Sequence, residues 1–482
     1  MKTNPWMVGS WMAVAAASVV QAAAPPQRGP AQTSPSVFNE WLRGENASFK
    51  AWDIGGQFRF RYENFNNAGP ALPSLDFQGA GVDNDDDFFL LREKLHIGYT
   101  PVSWLSVYLE GRDSSSSGEA SPVNPGADQF DLHQAYVRLG DFEKFPVAAK
   151  IGRQEMSYGD ERLIGAGDWI NVGRVFDAAK LRYESEAQWF DVFGGRQVLV
   201  DNHQFNVADD YDWFSGIYGS CSKIIPIQAT EIYVLSRNAS AGTAAAGVRG
   251  TAPGMPQNSS AGSARDIYSF GTRFKSLPGK LGAWDYTAEF VYQLGSINVG
   301  GTRVDHEACA GSVNVGYTWA REQTKPRVHF EYNYASGDAD PTDGKNRTLD
   351  NLFATNHKHY GYMDLIGWRN VHNPKVGFSF RPEKTLLVSL DYHAFCLVDD
   401  RDLFYPQQGA GRLGSGYGRN SSYDKFLGTE LDLDATYTPN KWFTLRGGYG
   451  HFFAEGYINQ SKAASGGAKD ADWFYVQTTI NF

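Results

Sequence analysis

Apolar and polar residues alternate along many short segments of this chain. The first segment, residues 52–65, puts apolar side chains on one face and polar ones on the other: Ile54, Phe58, Phe60 and Tyr62 against Gln57, Arg59, Arg61 and Glu63. The last segment, residues 473–482, repeats the pattern with Phe474, Val476, Ile480 and the final Phe482. A period of two over such lengths indicates β-strands with one face buried in apolar surroundings.

The connections between these segments are alternately long and short. Long ones fall at 66–86, 153–177, 197–211, 238–264, 295–306, 337–370, 398–426 and 454–472, and short turns lie between them, for example at 100–103, 185–188 and 438–441. Soluble sandwiches do not sort their connections in this way. The pattern predicts an all-β fold, a transmembrane antiparallel β-barrel of about 18 strands with long extracellular loops and short periplasmic turns.

Composition agrees with strands whose outer face alone is apolar. Glycine (52), phenylalanine (31), tyrosine (25) and tryptophan (13) are abundant, whereas the mean hydropathy is only −0.42. No segment after the N-terminus is apolar enough for a membrane-spanning helix. Because a strand edge cannot stay unpaired in lipid, the last strand is expected to pair with the first.

The chain divides into three parts. Residues 1–24 carry Lys2, an apolar run and Ala22 to Ala24, the pattern of a signal peptide. Residues 25–51 form a Pro-rich periplasmic N-terminal segment, with a short helix expected within 37–49. Residues 52–482 form the barrel, which places the protein in the outer membrane of a Gram-negative-type bacterium, in contact with outer-membrane lipid.

Basic residues recur on the polar face of the early strands. Alternation, together with the charged connection after residue 152, marks the following as candidate substrate-binding residues: Arg59, Arg61, Arg92, Lys94, Arg112, Arg138, Lys150, Arg153, Arg174 and Arg182. Guanidinium groups bind carboxylates through two parallel hydrogen bonds, and a ring of them favours anions in a pore. The alternative is that these charges are solvated or paired with lumen acids such as Glu63, Glu110 and Glu184.

Acidic residues occupy the polar face of the late strands, with Asp391, Glu430, Asp432 and Asp434 among them. Since the last strands close beside the first, a basic and an acidic arc are expected to share one lumen. A transverse field of this kind also suits a porin that orients small polar solutes. Tyr108, Tyr136 and Trp473 are further lumen candidates, for stacking on sugar rings.

Two stretches carry a family resemblance: GRQEMSYGDERLIGAGDWINVGRVFDAAKLRY at 152–183 and ASGDADPTDGKNRTLDNLFATNHKHYGYMDLIGWRN at 335–370. They resemble the alginate export family of outer-membrane barrels. The resemblance implies a monomeric barrel that passes an anionic uronate polymer through an arginine-rich constriction. The expected function is passive export of an anionic polysaccharide, alginate or a similar polymer, with periplasmic export machinery as a further partner. The alternative is a porin for small polar or anionic solutes.

Other classes of function lack support. A formal charge of −10 argues against nucleic-acid binding, and the three cysteines are far apart without a CxxC pair. Acidic runs at 83–87 and 338–344 could supply calcium ligands, but the second lacks EF-hand spacing and solvated loop acids are the favoured interpretation. No metal or cofactor is expected.

Catalytic motifs are missing as well. The sequence contains no G-x-S-x-G, H-E-x-x-H or P-loop pattern. Gly409-x-Gly411-x-x-Gly414 matches a dinucleotide fingerprint in letters only, because no strand precedes it and no helix follows. A membrane-embedded hydrolase using His133 or His203 is a third alternative that no spacing supports, so an enzyme is not expected.

Overall fold

The computed structural model describes residues 37–68, 77, 85–119, 126–240, 264–407 and 411–482. The expected signal peptide and residues 25–36 of the Pro-rich segment lie outside these ranges. So do Asp83 and Asn84 of the first acidic run, residues 241–263 of one long connection, and Gly409.

The first half of the chain begins with a helix and continues as strands. Helix α1 spans Val37–Glu45, and a 3-10 turn at Ala47–Ala51 leads into the barrel. The strands are β1 (Trp52–Asn66), β2 (Asp86–Val102), β3 (Leu105–Ser117), β4 (Asp128–Leu139), β5 (Val147–Gln154), β6 (Phe176–Glu184), β7 (Gln188–Leu199), β8 (Val207–Cys221) and β9 (Gln228–Ala239).

The second half repeats the pattern of strands with two interruptions. Its strands are β10 (Arg265–Ser276), β11 (Trp284–Val299), β12 (Thr302–Thr318), β13 (Arg327–Ala335), β14 (Lys345–Asn346), β15 (Val371–Glu383), β16 (Leu386–Leu397), β17 (Phe426–Asn440), β18 (Phe443–Ala454) and β19 (Ala471–Asn481). Single-turn 3-10 segments lie at Asn356–Lys358 and Ala463–Ser465, and the short helix α2 spans Gly456–Ser461.

These strands close into an antiparallel barrel. Strand β14 has two residues and pairs in parallel with β12 above the wall, so the wall itself has 18 strands. β19 pairs with β1 from Gln57↔Asn481 to Asn66↔Asp472. The terminal Phe482 extends this closure, since its amide donates to the Gly56 carbonyl at 3.0 Å and the Gly56 amide donates to the Phe482 carbonyl at 2.9 Å. Closure satisfies every strand edge, as lipid requires.

The two faces of the wall differ in chemistry as alternation predicts. Apolar side chains point outward, including Leu95, Ile151, Leu181 and Phe330, each at least half exposed on the protein surface. Polar and charged side chains point into the lumen, where Arg59 and Arg92 are each only 2% exposed. The barrel is therefore apolar toward lipid and polar inside.

One expected long connection is wrong. β11 and β12 pair as far as Val299↔Thr302, so residues 295–306 form a tight hairpin instead of a loop. Gly300 and Gly301 adopt φ values of +57° and +85°. Two consecutive left-handed residues make the turn that matches strand twist, and glycine reaches them without strain.

The segment before the barrel is anchored to its periplasmic rim. In α1, the Asn39 side chain accepts from the Ile54 amide at 2.7 Å, and the Arg43 guanidinium donates to the Trp52 carbonyl at 2.7 Å. Helix α1, at Val37–Glu45, lies within the range 37–49 predicted for it. No helix in the described part of the chain is long and apolar enough to cross a membrane.

Candidate functional site

Two loops fold from the wall into the lumen and meet there. Loop A comprises residues 155–175, between β5 and β6, and loop B comprises residues 336–370, between β13 and β15. The two loops leave the wall from almost opposite sides of the barrel. They are the same two stretches that carry the family resemblance, and together they form a folded insert in the lumen.

Backbone hydrogen bonds join the two loops. Ile164 and Phe353 form a parallel bridge, in which the Gly165 amide donates to the Phe353 carbonyl at 2.9 Å. The Phe353 amide donates to the Leu163 carbonyl at 2.9 Å. The Phe353 ring also packs on Phe176 and Phe214 of the wall, with centroids 5.1 Å and 4.8 Å away. The bridge is thereby fixed to the barrel.

Charged side chains reinforce this junction. Arg174 donates to the carbonyls of Gly165 and Phe353, so this guanidinium belongs to the contact between loops A and B. Arg162 of loop A is buried and binds Glu331 of β13 at 2.9 Å and the Tyr360 hydroxyl of loop B at 2.9 Å. Loop A, loop B and the wall are thus connected through single side chains.

Three arginines of β1 and β2 bind the tip of loop A. Arg59 Nη1 donates to the Asp168 carbonyl at 2.5 Å, and Arg61 Nη1 donates to the Trp169 carbonyl at 2.8 Å. Arg92 Nη2 donates to the Asp168 carboxylate at 2.8 Å. That carboxylate is 78% exposed to lumen water. Arg92 holds the pKa of Asp168 well below its usual range, so the loop presents an anion here.

A stack of rings links the tips of the two loops. Trp169 of loop A lies between the Arg61 guanidinium, 3.8 Å from the ring centroid, and the His357 ring of loop B, 3.7 Å away and nearly parallel. The edges of Trp473 and Tyr475 from β19 meet Trp169 at 6.0 Å and 5.1 Å. Burial, then the charges of Arg446 and Arg61, lower the pKa of His357 well below its usual value, so this ring is neutral in the stack.

Loop B rests on the acidic side of the lumen. The Met363 amide donates to Glu430 at 3.0 Å and the Tyr362 amide donates to Asp432 at 3.2 Å, and both acids are essentially unexposed. Gly361 has a φ of +89°, and a Cβ there would lie 2.4 Å from a Glu430 carboxylate oxygen. Only glycine allows the backbone to approach these carboxylates so closely. Loop A therefore turns carbonyls toward the basic wall, and loop B turns amides toward the acidic wall.

A third cluster surrounds Lys94 and includes a potential group of metal ligands, Glu110, His133 and Glu155. Lys94 Nζ lies 3.6 Å from Glu110 and 3.2 Å from Glu155. Arg112 can only donate, so its 3.1 Å contact makes His133 Nδ1 an acceptor and leaves the Nε2 proton for Glu155, at 3.0 Å. The cluster already has its cation, which favours a salt-bridge network over a metal site.

Basic residues close to the periplasmic ends of β4, β5 and β6 are arranged differently. Arg138 of β4, Lys150 of β5 and Lys180 of β6 stand directly opposite one another in neighbouring strands. Lys150 Nζ lies 3.7 Å from the centroid of the Tyr136 ring, which stacks on Tyr108 at 5.1 Å. Arg182 binds Asp191 at 2.6 Å. We call Arg138, Lys150 and Lys180 the basic row.

Comparisons with known proteins assign this architecture. The family model described as alginate export matches residues 51–468, nearly the whole barrel. The chain belongs to the alginate export family. No curated protein matches the chain significantly.

Solved structures share the fold of this alginate export family member. A BenF-like porin from Pseudomonas fluorescens Pf-5 is similar with a TM-score of 0.53 and 10% identity, covering 90% of this chain and 99% of that one. OccK11 (OpdR) of Pseudomonas aeruginosa gives 0.52 and 12%, covering 89% and 96%. Pseudomonas aeruginosa OpdK with vanillate gives 0.51 and 11%, covering 89% and 98%. The protein is an outer-membrane channel of the Gram-negative envelope, and its family and fold are those of passive channels.

The structure sorts the ten predicted site residues into groups. Arg59, Arg61, Arg92 and Arg174 bind loop backbone. Lys94 and Arg112 belong to the buried network, where Arg112 also pairs with Asp128. Arg138 and Lys150 lie in the basic row, beside Arg182. Arg153 shares the parity of the outward-facing Ile151 and pairs with Asp177 at 2.8 Å at the top of β5 and β6.

Some residues important to this geometry have no signal in the strand pattern. Trp169, His357 and Gly361 lie in loops, where alternation carries no information about direction. A tryptophan among charged and glycine residues is the one sequence feature that could have marked loop A as a folded insert.

Proposed function

We propose that this channel exports an anionic polysaccharide of the uronate type from the periplasm to the cell surface. The observation that carries the proposal is the difference between the two lumen walls. Glu430 and Asp432 accept hydrogen bonds from the backbone of loop B, whereas Lys150 of the basic row lies on the ring of Tyr136, a residue of the wall. The charge left to meet a solute on its way from the periplasm is therefore positive, which favours anions.

The arrangement at loop A supports the same proposal. The Asp168 carboxylate and neighbouring carbonyls accept from Arg59, Arg61 and Arg92, while Arg61 Nε also pairs with Glu63 at 2.7 Å. If loop A moves, these three guanidinium groups become available to the carboxylates of a passing polymer. Each contact between a guanidinium group and a carboxylate would then be replaced by a contact with the next carboxylate of the polymer, as repeated sites for a moving polyanion require. We propose the three arginines, with Lys94, Arg112, Arg138, Lys150 and Arg182, as the substrate path.

The proposed unit is a monomer, since a single closed barrel encloses its own lumen. Its proposed partner on the inner side is periplasmic export machinery, which would deliver the polymer to the rim where α1 lies. The family description, alginate export, is consistent with a polymer that carries one carboxylate on each sugar.

A second candidate is a porin for small carboxylates. It is favoured by the structural likeness to porins, one of which was solved with vanillate, an aromatic carboxylate. This likeness concerns the fold alone, at 11% identity. The two functions differ in what the pore recognises, a chain or a single anion.

Planar-bilayer recordings separate the two candidates. Oligouronates of increasing length, with neutral oligosaccharides as controls, are added to single channels of the wild type and of Arg92→Gln. Polymer export predicts anion selectivity and a block that lengthens with each added sugar, shortened in Arg92→Gln. A block that uronate monomers already produce, and that does not lengthen with added sugars, favours the small-solute porin. A cation-selective pore that is indifferent to uronates overturns both.

A further inference from the structure

The basic row is an unusual arrangement for neighbouring strands. Arg138 pairs in register with Lys150, and Lys150 with Lys180, so three cations follow one another around the wall at one level. Directly opposite residues in an antiparallel pair have Cβ atoms about 5 Å apart, and like charges at that separation repel each other. The basic row contains two such pairs, so this repulsion acts twice.

The carboxylates beside the row are shared with Arg182, which lies 3.7 Å from Glu184 and 2.6 Å from Asp191. Asp191 lies 3.5 Å from Lys180 Nζ, but it also accepts from Arg182 Nε at 2.6 Å and from the Tyr158 hydroxyl at 2.7 Å. Lys150 forms no ion pair with a carboxylate among the described residues. Its ammonium instead lies on the face of Tyr136 at 3.7 Å.

The Tyr136 contact also orients Lys150. A cation held against an aromatic face loses part of its freedom before any ligand arrives, which lowers the entropic cost of binding. Ile151 and Leu181 on the adjacent positions point outward, so Lys150 and Lys180 both point into the lumen. Lys150 is three residues above the start of β5, close to the periplasmic turn.

We propose that Lys150 and Lys180, flanked by Arg138, form a carboxylate-binding site at the periplasmic end of the lumen. The ligand class is a carboxylated sugar, whose carboxylate lies between the two ammonium groups and relieves their repulsion. This inference deepens the proposed function and rests on it for the polymer, but the site itself would hold a free sugar acid equally well.

The test uses the whole channel in planar bilayers and measures the apparent Kd for current block by glucuronate, with glucose as the uncharged control. Lys150→Gln is expected to weaken the glucuronate block by about tenfold, the loss of one charge-assisted hydrogen bond. Lys150→Arg, which keeps the charge, is expected to stay near the wild type. The matched control is Lys280→Gln, which removes an exposed lysine from a periplasmic turn.

Each outcome decides the matter. The proposal is overturned if glucuronate blocks Lys150→Gln as strongly as it blocks the wild type. It is also overturned if Lys280→Gln weakens the block by the same amount, because the effect is then one of overall charge. Heat-modifiable migration in SDS gels confirms that each variant forms a closed barrel. A Lys150-dependent glucuronate block without any dependence on oligomer length would keep the site and reject polymer export.

Discussion

At Arg59, Arg61 and Arg92 the guanidinium groups contact loop backbone inside the barrel. A buried guanidinium must use its donors, and carbonyls without other partners supply the acceptors. Residues predicted from strand parity as substrate ligands therefore also hold loop A in place. Both roles follow from the same chemistry, because a peptide carbonyl and a substrate carboxylate compete for the same donors.

Trp169 is the residue on which the contact between the loop tips depends. In Trp169→Ala we expect loop A and loop B to separate more readily, because the change removes a cation–π contact and a stacked pair, at a cost of about 3–5 kcal/mol. Single-channel recordings should show a higher mean conductance and more frequent transitions than the wild type.

Trp169→Phe provides the control, since it keeps an aromatic face for Arg61 and His357. Its conductance should lie between those of the wild type and Trp169→Ala. Equal conductance in all three proteins would mean that the stack does not hold the loops.

At the scale of elements, loop A and loop B behave as one body. Their parallel bridge, the Arg174 contact to the Phe353 carbonyl and the 3.1 Å pair between Lys358 and Glu161 all cross from one loop to the other. β5 and β6 have only eight and nine residues, which lets loop A leave the wall early and reach the middle of the lumen. A polymer can pass only if these contacts open or if a path remains beside them.

A disulfide between the loops tests this. Ile164→Cys with Phe353→Cys joins two bridge partners, whose close backbones suit a disulfide. The three native cysteines, which are free, are replaced by serine in this background. We expect oxidation to reduce oligouronate block and current, and dithiothreitol to restore both.

The reduced protein is its own control, because it carries the same packing changes without the crosslink. Identical currents in the two states would show that conduction does not require the loops to part.

For the molecule as a whole, stability depends on joining the two ends of the barrel. The Phe482 amide and carbonyl bond to Gly56, and a Cβ at Gly56 would lie 2.7 Å from the Phe482 ring. The last residue thus completes the pairing of β1 and β19 and fills the space above a glycine.

Deleting Phe482 should therefore lower the free energy of unfolding of the barrel by roughly a few kcal/mol. The temperature at which the folded band converts to the unfolded band in SDS gels should fall accordingly. Phe482→Ala keeps both backbone bonds and should lie between the deletion and the wild type. If the deletion unfolds at the wild-type temperature, the terminal residue has no part in closure.

The sequence by itself determined the barrel, its strand number and the side of each strand that meets water. Leu95 and Arg92 could be assigned to opposite faces because side chains alternate strictly in a strand and lipid admits only one kind. The sequence did not reveal the hairpin at Gly300 and Gly301, because a polar, glycine-containing stretch has the same pattern in a loop and in a strand that extends above the membrane.

Only the tertiary structure decided what the charges do. Whether Arg92 faces open water or Asp168, and whether Glu430 faces water or the Met363 amide, depends on how two loops distant in sequence fold into the lumen. Local periodicity contains no record of such contacts, since each joins residues more than sixty positions apart. The basic row lies between these cases: parity placed Lys150 in the lumen, and strand register set it beside Arg138 and Lys180.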